Sequence, residues 1–354
     1  RDGKLLVEAI DSGERDFRLL GFDLETGEQT LSLDLKKHWP NYRIRPDLTV
    51  PGTFRLDTKN SFRRMTWDGE TVAEYTLPWS VRPGQGCWYG WDALPEEDKL
   101  VWTDEKGLWL ARADGSGAAL VLPSEAILER EEFFYLIKRH QETGSRLAFR
   151  RPWLMDGGRH VAVGFGSANY QQYSDGLVVL DTGTGETLWQ EGSFHASPHT
   201  IEPLSGTTLL AGNDLVDVTT GEVRRAYRWE LTSRFWAFAT DFAHYFGVEE
   251  TNSEYRLVLC TLRSVTEAEP ALVFPRCLVP GRGEGMEELE VLAAGTDRVV
   301  CRYLGAGETG LLLVTVTEAG PSYLTPGQGV TCKEVLSWPA RQGEWTEAVF
   351  APRD

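Results

Sequence analysis

A hairpin unit that recurs seven times constrains this chain more than any other feature. "RLLGFDLETGEQTLSL" (18–33), "FRRMTWDGETVAEYTL" (62–77), "LWLARADGSGAALVL" (108–122) and "LVVLDTGTGETLWQ" (177–190) each join two apolar runs through a polar, mostly glycine-containing turn. "LVDVTTGEVRRAYRW" (215–229), "RLVLCTLRSVTEAEPALVF" (256–274) and "LLLVTVTEAGPSYLTP" (311–326) complete the set. Asp-Gly and Thr-Gly between alternating apolar runs signal hairpins, because glycine takes positive φ without steric cost. Anchors at Asp23, Trp67, Ala113, Asp181, Asp217, Thr261 and Thr315 are spaced by 44, 46, 68, 36, 44 and 54 residues. A period of this size decides the architecture before any motif is considered.

With a further strand on the N-terminal side, each unit reads as four antiparallel strands. Such units arranged around an axis form a β-propeller, in which neighbouring sheets cover one another's faces and protect their edges. The expectation is an all-β, seven-bladed propeller occupying residues 1–354 as one domain. "RDGKLLVEA" (1–9) opens the chain and "TEAVFAPRD" (346–354) closes it; joined end to start they spell strand, Pro-Asp-Gly turn, strand. The first blade is therefore expected to combine residues 1–34 with 344–354, closing the ring by strand pairing. The 68-residue interval holds "SEAILEREEFFYLIKRHQETG" (124–144), which reads as one amphipathic helix. Ser124 stands as its N-cap, a glycine ends it, and Ile127, Phe133, Phe134, Leu136 and Ile137 form its apolar side.

"LVVLDTGTGETLWQ" resembles the quinoprotein-type propeller repeat, in which an Asp, a Thr-Gly turn and a Trp recur. "PRD" running into "DGKLL" resembles the Pro-Asp-Gly-Lys turn of TolB-like and WD-repeat propellers. These motifs concern turns and packing. Only Trp189 follows a full Asp-x-x-Thr-Gly pattern (Asp181, Thr184, Gly185). The resemblance therefore implies a scaffold without the quinone cofactor of that family, similar to its non-enzymatic members, and no cofactor is expected.

Charge narrows the partner. With 36 Lys+Arg against 53 Asp+Glu, the net charge of −17 disfavours nucleic acid or an anionic membrane surface as partner of the whole chain. No apolar run reaches the length of a membrane-spanning helix. Cys87, Cys260, Cys277, Cys301 and Cys332 show neither C-x-x-C pairing nor zinc-like spacing, so no metal site is expected. An odd thiol count favours a reducing compartment, whereas a start at Arg1 suits a removed leader, a removed anchor or trimmed residues. An extracytoplasmic location is slightly preferred over a cytoplasmic one, and oligomeric state is open.

Three motifs invite chemistry. "GAGETG" (305–310) matches a dinucleotide-binding string, but strand-like runs flank it and an ordinary hairpin loop is expected. His195 and His199 straddle Pro198, and along a strand they would lie roughly 13 Å apart, too far to share a metal. His199 and Glu202 in "HTIEPL", with His38, form the acid/base set of an alternative reading: a propeller-type lyase or hydrolase acting on acidic sugars, with arginines neutralising the substrate carboxylate.

The broader signal lies in the segments between units, taken as 35–47, 78–92, 123–154, 190–200, 228–237, 275–288 and 326–346. They hold nine of thirteen tryptophans and a net charge of +3, against −20 for the remainder. Trp39, Tyr42, Arg43, Arg45, Arg82, Trp88, Tyr89, Trp91, Arg151, Trp153 and Trp236 are the candidate ligand-binding residues. Aromatic faces beside guanidinium groups suit a peptide, a partner protein or an acidic carbohydrate. The competing reading is packing, since tryptophan fills wedges between sheets and arginine stacks on it. The favoured reading is a non-catalytic binding scaffold.

Overall fold

The computed structural model describes residues 4–11, 16–23, 26, 28–35, 42–83, 90–129, 138, 142, 144, 147–167, 176–191, 201–211, 214–225, 236–238, 244–251, 254–261, 263–264, 276–278, 286–294, 298–305, 308–316, 323–324, 330–339 and 345–350. Among them strand dominates, forming seven sheets of four or five strands. Helix is confined to short pieces such as Pro95–Glu97, Ser124–Leu128 and Asp156–Gly158. The chain divides into two units: residues 1–57, 63–73 and 226–354, and residues 58–62 and 74–225.

In the first unit, Lys4–Asp11, Asp16–Asp23 and Gln29–Asp34 form a meander, and Trp345–Phe350 pairs antiparallel along the free side of Lys4–Asp11. Leu5 faces Phe350, Leu6 faces Val349 and Val7 faces Ala348. A bulge between Val7 and Ala9 brings Ala9 opposite Trp345. A second sheet, of which residues 42–57, 63–66 and 71–73 belong to this unit, orders Tyr42–Pro46, Thr53–Thr58, Ser61–Thr66 and Thr71–Thr76. Ile44, Phe54, Leu56, Met65 and Trp67 from it join Leu6, Leu19, Leu31 and Leu35 in one apolar core. Alternation sends Asp47, Arg55, Asp57 and Arg64 away from that core, yet all four are buried.

Two further sheets belong to this unit. One comprises Met286–Ala294, Arg298–Gly305, Glu308–Val316 and Val330–Pro339 in that order. Gly305 pairs with Glu308, so "GAGETG" joins two antiparallel strands and lacks the strand-to-helix setting that dinucleotide binding requires. The other comprises Trp236–Phe238, His244–Thr251, Glu254–Thr261 and Arg276–Leu278, with Tyr323–Leu324 added in parallel outside Arg276–Leu278.

The second unit repeats the meander. Its sheets are Trp91–Leu94, Lys99–Asp104, Gly107–Ala111 and Ala119–Pro123; then Leu147–Met155, His160–Ser167, Gly176–Asp181 and Thr187–Glu191; then Ile201–Pro203, Thr208–Ala211, Asp214–Asp217 and Val223–Arg225. Strand order within each follows chain order, as short turns demand. A lysine links the first two sheets: Lys99 Nζ donates to Gly158 O at 2.8 Å and to Thr182 Oγ1 at 3.1 Å. In the first unit, Lys4 Nζ likewise lies 2.6 Å from Asp68 of the second sheet.

The repeated turns have one chemistry. Asp23, Asp181 and Asp217 each bond from backbone N–H to the carbonyl five residues on, Glu28, Glu186 and Glu222. Their carboxylates accept from the N–H of Thr26, Thr184 and Thr220 at 2.8–3.1 Å, and the hydroxyls of those threonines accept from the following glutamate N–H at 3.1–3.2 Å.

Some sequence boundaries shift. Ser124 is the first helical residue rather than the cap; Pro123 holds the N-cap position, and no side chain caps the helix. Ile127 is buried as expected. Phe133, Phe134, Leu136 and Ile137 lie outside the described residues. Segments 35–47, 78–92, 123–154, 275–288 and 326–346, read as connections, overlap strands Tyr42–Pro46, Trp91–Leu94, Leu147–Met155, Arg276–Leu278 and Val330–Pro339. Arginine and tryptophan in these stretches disguised them, because burial of both side-chain types depends on tertiary partners that periodicity does not reveal.

Candidate functional site

The candidate residues divide by burial. Trp91 is 3% exposed; its indole N–H donates to Lys59 O at 2.8 Å, and its ring packs against Phe62 and Tyr75 with centroids 6.5 and 5.8 Å away. It faces Trp102 across one strand pair, and Trp102 faces Trp109 across the next, their rings stacked 5.8 Å apart. Leu77, Val81, Leu100 and Ala111 complete this core. Trp153, also 3% exposed, donates to Ile201 O at 3.2 Å and carries the Arg151 guanidinium 4.2 Å from its ring centroid. Both indoles are buried and hydrogen-bonded within packed sheets.

Arg45 is engaged structurally as well. Its Nε donates to Asp57 Oδ2 at 2.9 Å, while Arg55 Nε donates to Asp57 Oδ1 at 3.1 Å. Nearby, Arg64 Nε donates to Asp47 Oδ2 at 2.5 Å, and Asp47 Oδ1 accepts from the backbone and hydroxyl of Thr49. Burial works to raise the Asp47 pKa, but the bonds from Thr49 and Arg64 outweigh it and hold the carboxyl below its usual value.

Arg82 leads to the exposed site. One guanidinium nitrogen donates to the carbonyl of Trp79 and, at 3.4 Å, to that of Val81. Trp79 is 83% exposed, the most exposed large apolar side chain among the described residues. Its backbone is nevertheless well anchored. Val81 N donates to Pro78 O at 2.9 Å, closing a turn whose flanks, Leu77 and Val81, are buried in the core around Trp91. Pro78 rests on Gly115, where an added Cβ would meet the proline ring at 3.3 Å and φ is +81°. Tyr75, from the strand leading into this turn, donates to Ala113 O at 2.7 Å. Burial, with Asp114 close by, pushes the Tyr75 hydroxyl pKa up to about 12, so it remains a donor at neutral pH.

Residues 112–118 thus form a shelf beside the Trp79 turn, made of small side chains from Ala113 to Ala118 apart from Asp114. Asp98 holds the shelf, accepting from Arg112 Nε at 2.7 Å and from Ala113 N at 3.0 Å. Arg112 keeps the Asp98 carboxyl below its usual pKa.

His38, Trp39, Trp88, Tyr89, His195 and His199 lie outside the described residues. Tyr42, Arg43, Glu202 and Trp236 fall on strands Tyr42–Pro46, Ile201–Pro203 and Trp236–Phe238, with side chains outside the description. No group of three or more His, Cys, Asp or Glu able to hold a metal occurs among the described residues. Trp79 was counted among the tryptophans between units without being singled out. The signal that finds it is Leu-Pro-Trp after a strand, since proline turns the chain and ends the alternation that would have turned the ring inward.

No family model and no curated protein matches the chain. Solved structures similar to it include the β-propeller domain of Cps50 (Swd1) from Myceliophteria thermophila: 16% identity, 86% of this chain and 95% of that chain covered, TM-score 0.44. A post-proline cleaving enzyme from Rickettsia typhi is similar at 10% identity over 88% of this chain and 50% of its own, TM-score 0.46. TolB from Acinetobacter baumannii is similar at 11% identity over 73% of this chain and 61% of its own, TM-score 0.34. Each is a likeness in the path of the chain and transfers no residue role.

Proposed function

We propose that this protein is a seven-bladed β-propeller, closed by the strand pair of its two ends, that works as a non-catalytic binding scaffold for a peptide or protein. Seven meandering sheets in chain order, with Trp345–Phe350 beside Lys4–Asp11, support the architecture. The observation that carries the function is Trp79. An indole 83% exposed on a turn whose flanking residues are buried leaves a large apolar surface in water on a rigid support. Tryptophan and arginine dominate the energetic centres of protein interfaces, and a pre-ordered backbone lowers the entropy lost on association.

A thermal-shift screen of short peptides and neutral and acidic oligosaccharides tests this reading, with Trp79→Ala beside the wild type. A peptide at a hundred times its dissociation constant stabilises by about 2.7 kcal/mol. A peptide shift abolished by Trp79→Ala is the expected result. Stabilisation by peptides that survives the substitution, or by oligosaccharides alone, would overturn the assignment.

A further inference from the structure

From the surroundings of Trp79 we infer the chemistry of the partner, on the premise of the binding role proposed above: the surface takes a basic, extended segment of another protein, with a lysine or arginine set against the indole face. Two independent observations point this way. The first is the ring itself, since a solvated indole face attracts a cation through its quadrupole more strongly than any other aromatic side chain does.

The second is charge. Within 75–91 the only charged residue is Arg82, and two carbonyls of the same turn, Trp79 O and Val81 O, already accept from its guanidinium. The neighbouring loops are acidic: Glu97 and Asp98 follow the strand Trp91–Leu94, and Asp114 sits on the shelf, all three exposed. Asp98 and the shelf are joined by the bond to Ala113 N, and the shelf and the turn by Pro78 on Gly115, which brings the loop carrying Asp98, the shelf carrying Asp114 and the Trp79 turn together. Within 95–98 and 112–118 the one cation is Arg112, and its guanidinium is bound to Asp98 at 2.7 Å. The net charge of −17 adds a long-range field of the same sign.

The shelf also explains why the segment is extended. Gly115, Ser116, Gly117 and Ala118 offer little side-chain bulk, and a Cβ placed on Gly117 would meet nothing within 4 Å. Gly115 is covered by Pro78, whereas Ser116, Gly117 and Ala118 are exposed, so a main chain can lie along 116–118 while its side chains reach towards the indole and the carboxylates.

The test uses three fluorescein-labelled twelve-residue peptides with the intact protein: one alternating glycine with lysine and arginine, one glycine with glutamate, and one glycine with serine. Anisotropy is read at about 50 mM and about 300 mM salt, where screening lengths differ severalfold. The basic peptide is expected to bind, to weaken about tenfold in Trp79→Ala, and to keep most of its affinity in Trp79→Tyr. Asp114→Asn combined with Glu97→Gln should weaken it several-fold at low salt and less at high salt. Equal binding by wild type and Trp79→Ala would reduce the effect to attraction by the acidic body and overturn the inference. Binding of the acidic or neutral peptide in a Trp79-dependent way would overturn the basic chemistry while leaving the scaffold standing. Absence of binding in all three arms would overturn the inference, and the peptide screen above then judges the scaffold separately.

Discussion

Replacing Asp47 by asparagine probes the buried charges of the second sheet. The wild-type carboxylate accepts from Arg64 Nε at 2.5 Å, from Thr49 N at 2.9 Å and from Thr49 Oγ1 at 2.6 Å, with a side chain only 1% exposed. Asparagine keeps the shape but removes the charge and turns one acceptor into a donor, which must then confront either Arg64 or Thr49. Hydrogen bonds involving an ionised group contribute about 1.5–3 kcal/mol, so the variant should be about 2–3 kcal/mol less stable at pH 7. Urea unfolding measures this through the midpoint at constant slope. The pH dependence gives an independent check. The folded-state pKa of Asp47 is lowered, so its stabilisation is complete above the unfolded carboxyl pKa of about 3.9 and is lost as pH falls through the folded value. The gap between wild type and variant should therefore close in acid. A difference under about 0.5 kcal/mol at pH 7, or one unchanged in acid, would refute the assignment of net stabilisation to this carboxylate.

Three other outcomes are expected. Lys99→Met keeps the aliphatic stem but loses the bonds to Gly158 O and Thr182 Oγ1, and should cost about 1 kcal/mol in urea unfolding, with Lys99→Ala costing more through lost packing. Gly107→Ala should give little folded protein in a thermal melt, because φ is +144° and the new Cβ would lie 2.0 Å from Leu122 O, a backbone atom that cannot yield. Deleting residues 344–354 strips Lys4–Asp11 of one neighbour, and hydrogen exchange should show the amides of 4–11 losing protection before those of the sheets in 91–225.

How much of this was legible in the sequence depended on how local the cause was. The turns at Asp23, Asp181 and Asp217 were readable because every bond that makes them lies within six residues. The cationic residue that opens a second strand was visible in "DGKLL" as a turn signal. What Lys4 grips, Asp68 in the next sheet, was not visible, since the partner is 64 residues away. Composition alone cannot tell Trp91 and Trp153, whose indoles donate to backbone carbonyls, from an indole facing water. Arg55 and Arg64 went unmarked for the same reason, as only tertiary carboxylates make buried arginine tolerable. Trp79 lies in 78–92, read as a connecting segment, and its exposure is not visible in composition, which gives the same weight to a buried and a solvated indole.

The pairing of Trp345–Phe350 with Lys4–Asp11 sets an order of events during synthesis. A ribosome adding roughly 5–20 residues per second needs on the order of 20–70 s to make the stretch between these strands. Throughout that interval the Lys4–Asp11 strand keeps one row of amides and carbonyls without the neighbour it has in the finished protein. The sheets of residues 91–225 each have four consecutive strands within that stretch and can form as they emerge, while the sheet that begins the chain is completed last. Protection of that edge in the cell, by a chaperone or by fast translation, should therefore limit the yield of native protein more than the intrinsic stability of any one sheet.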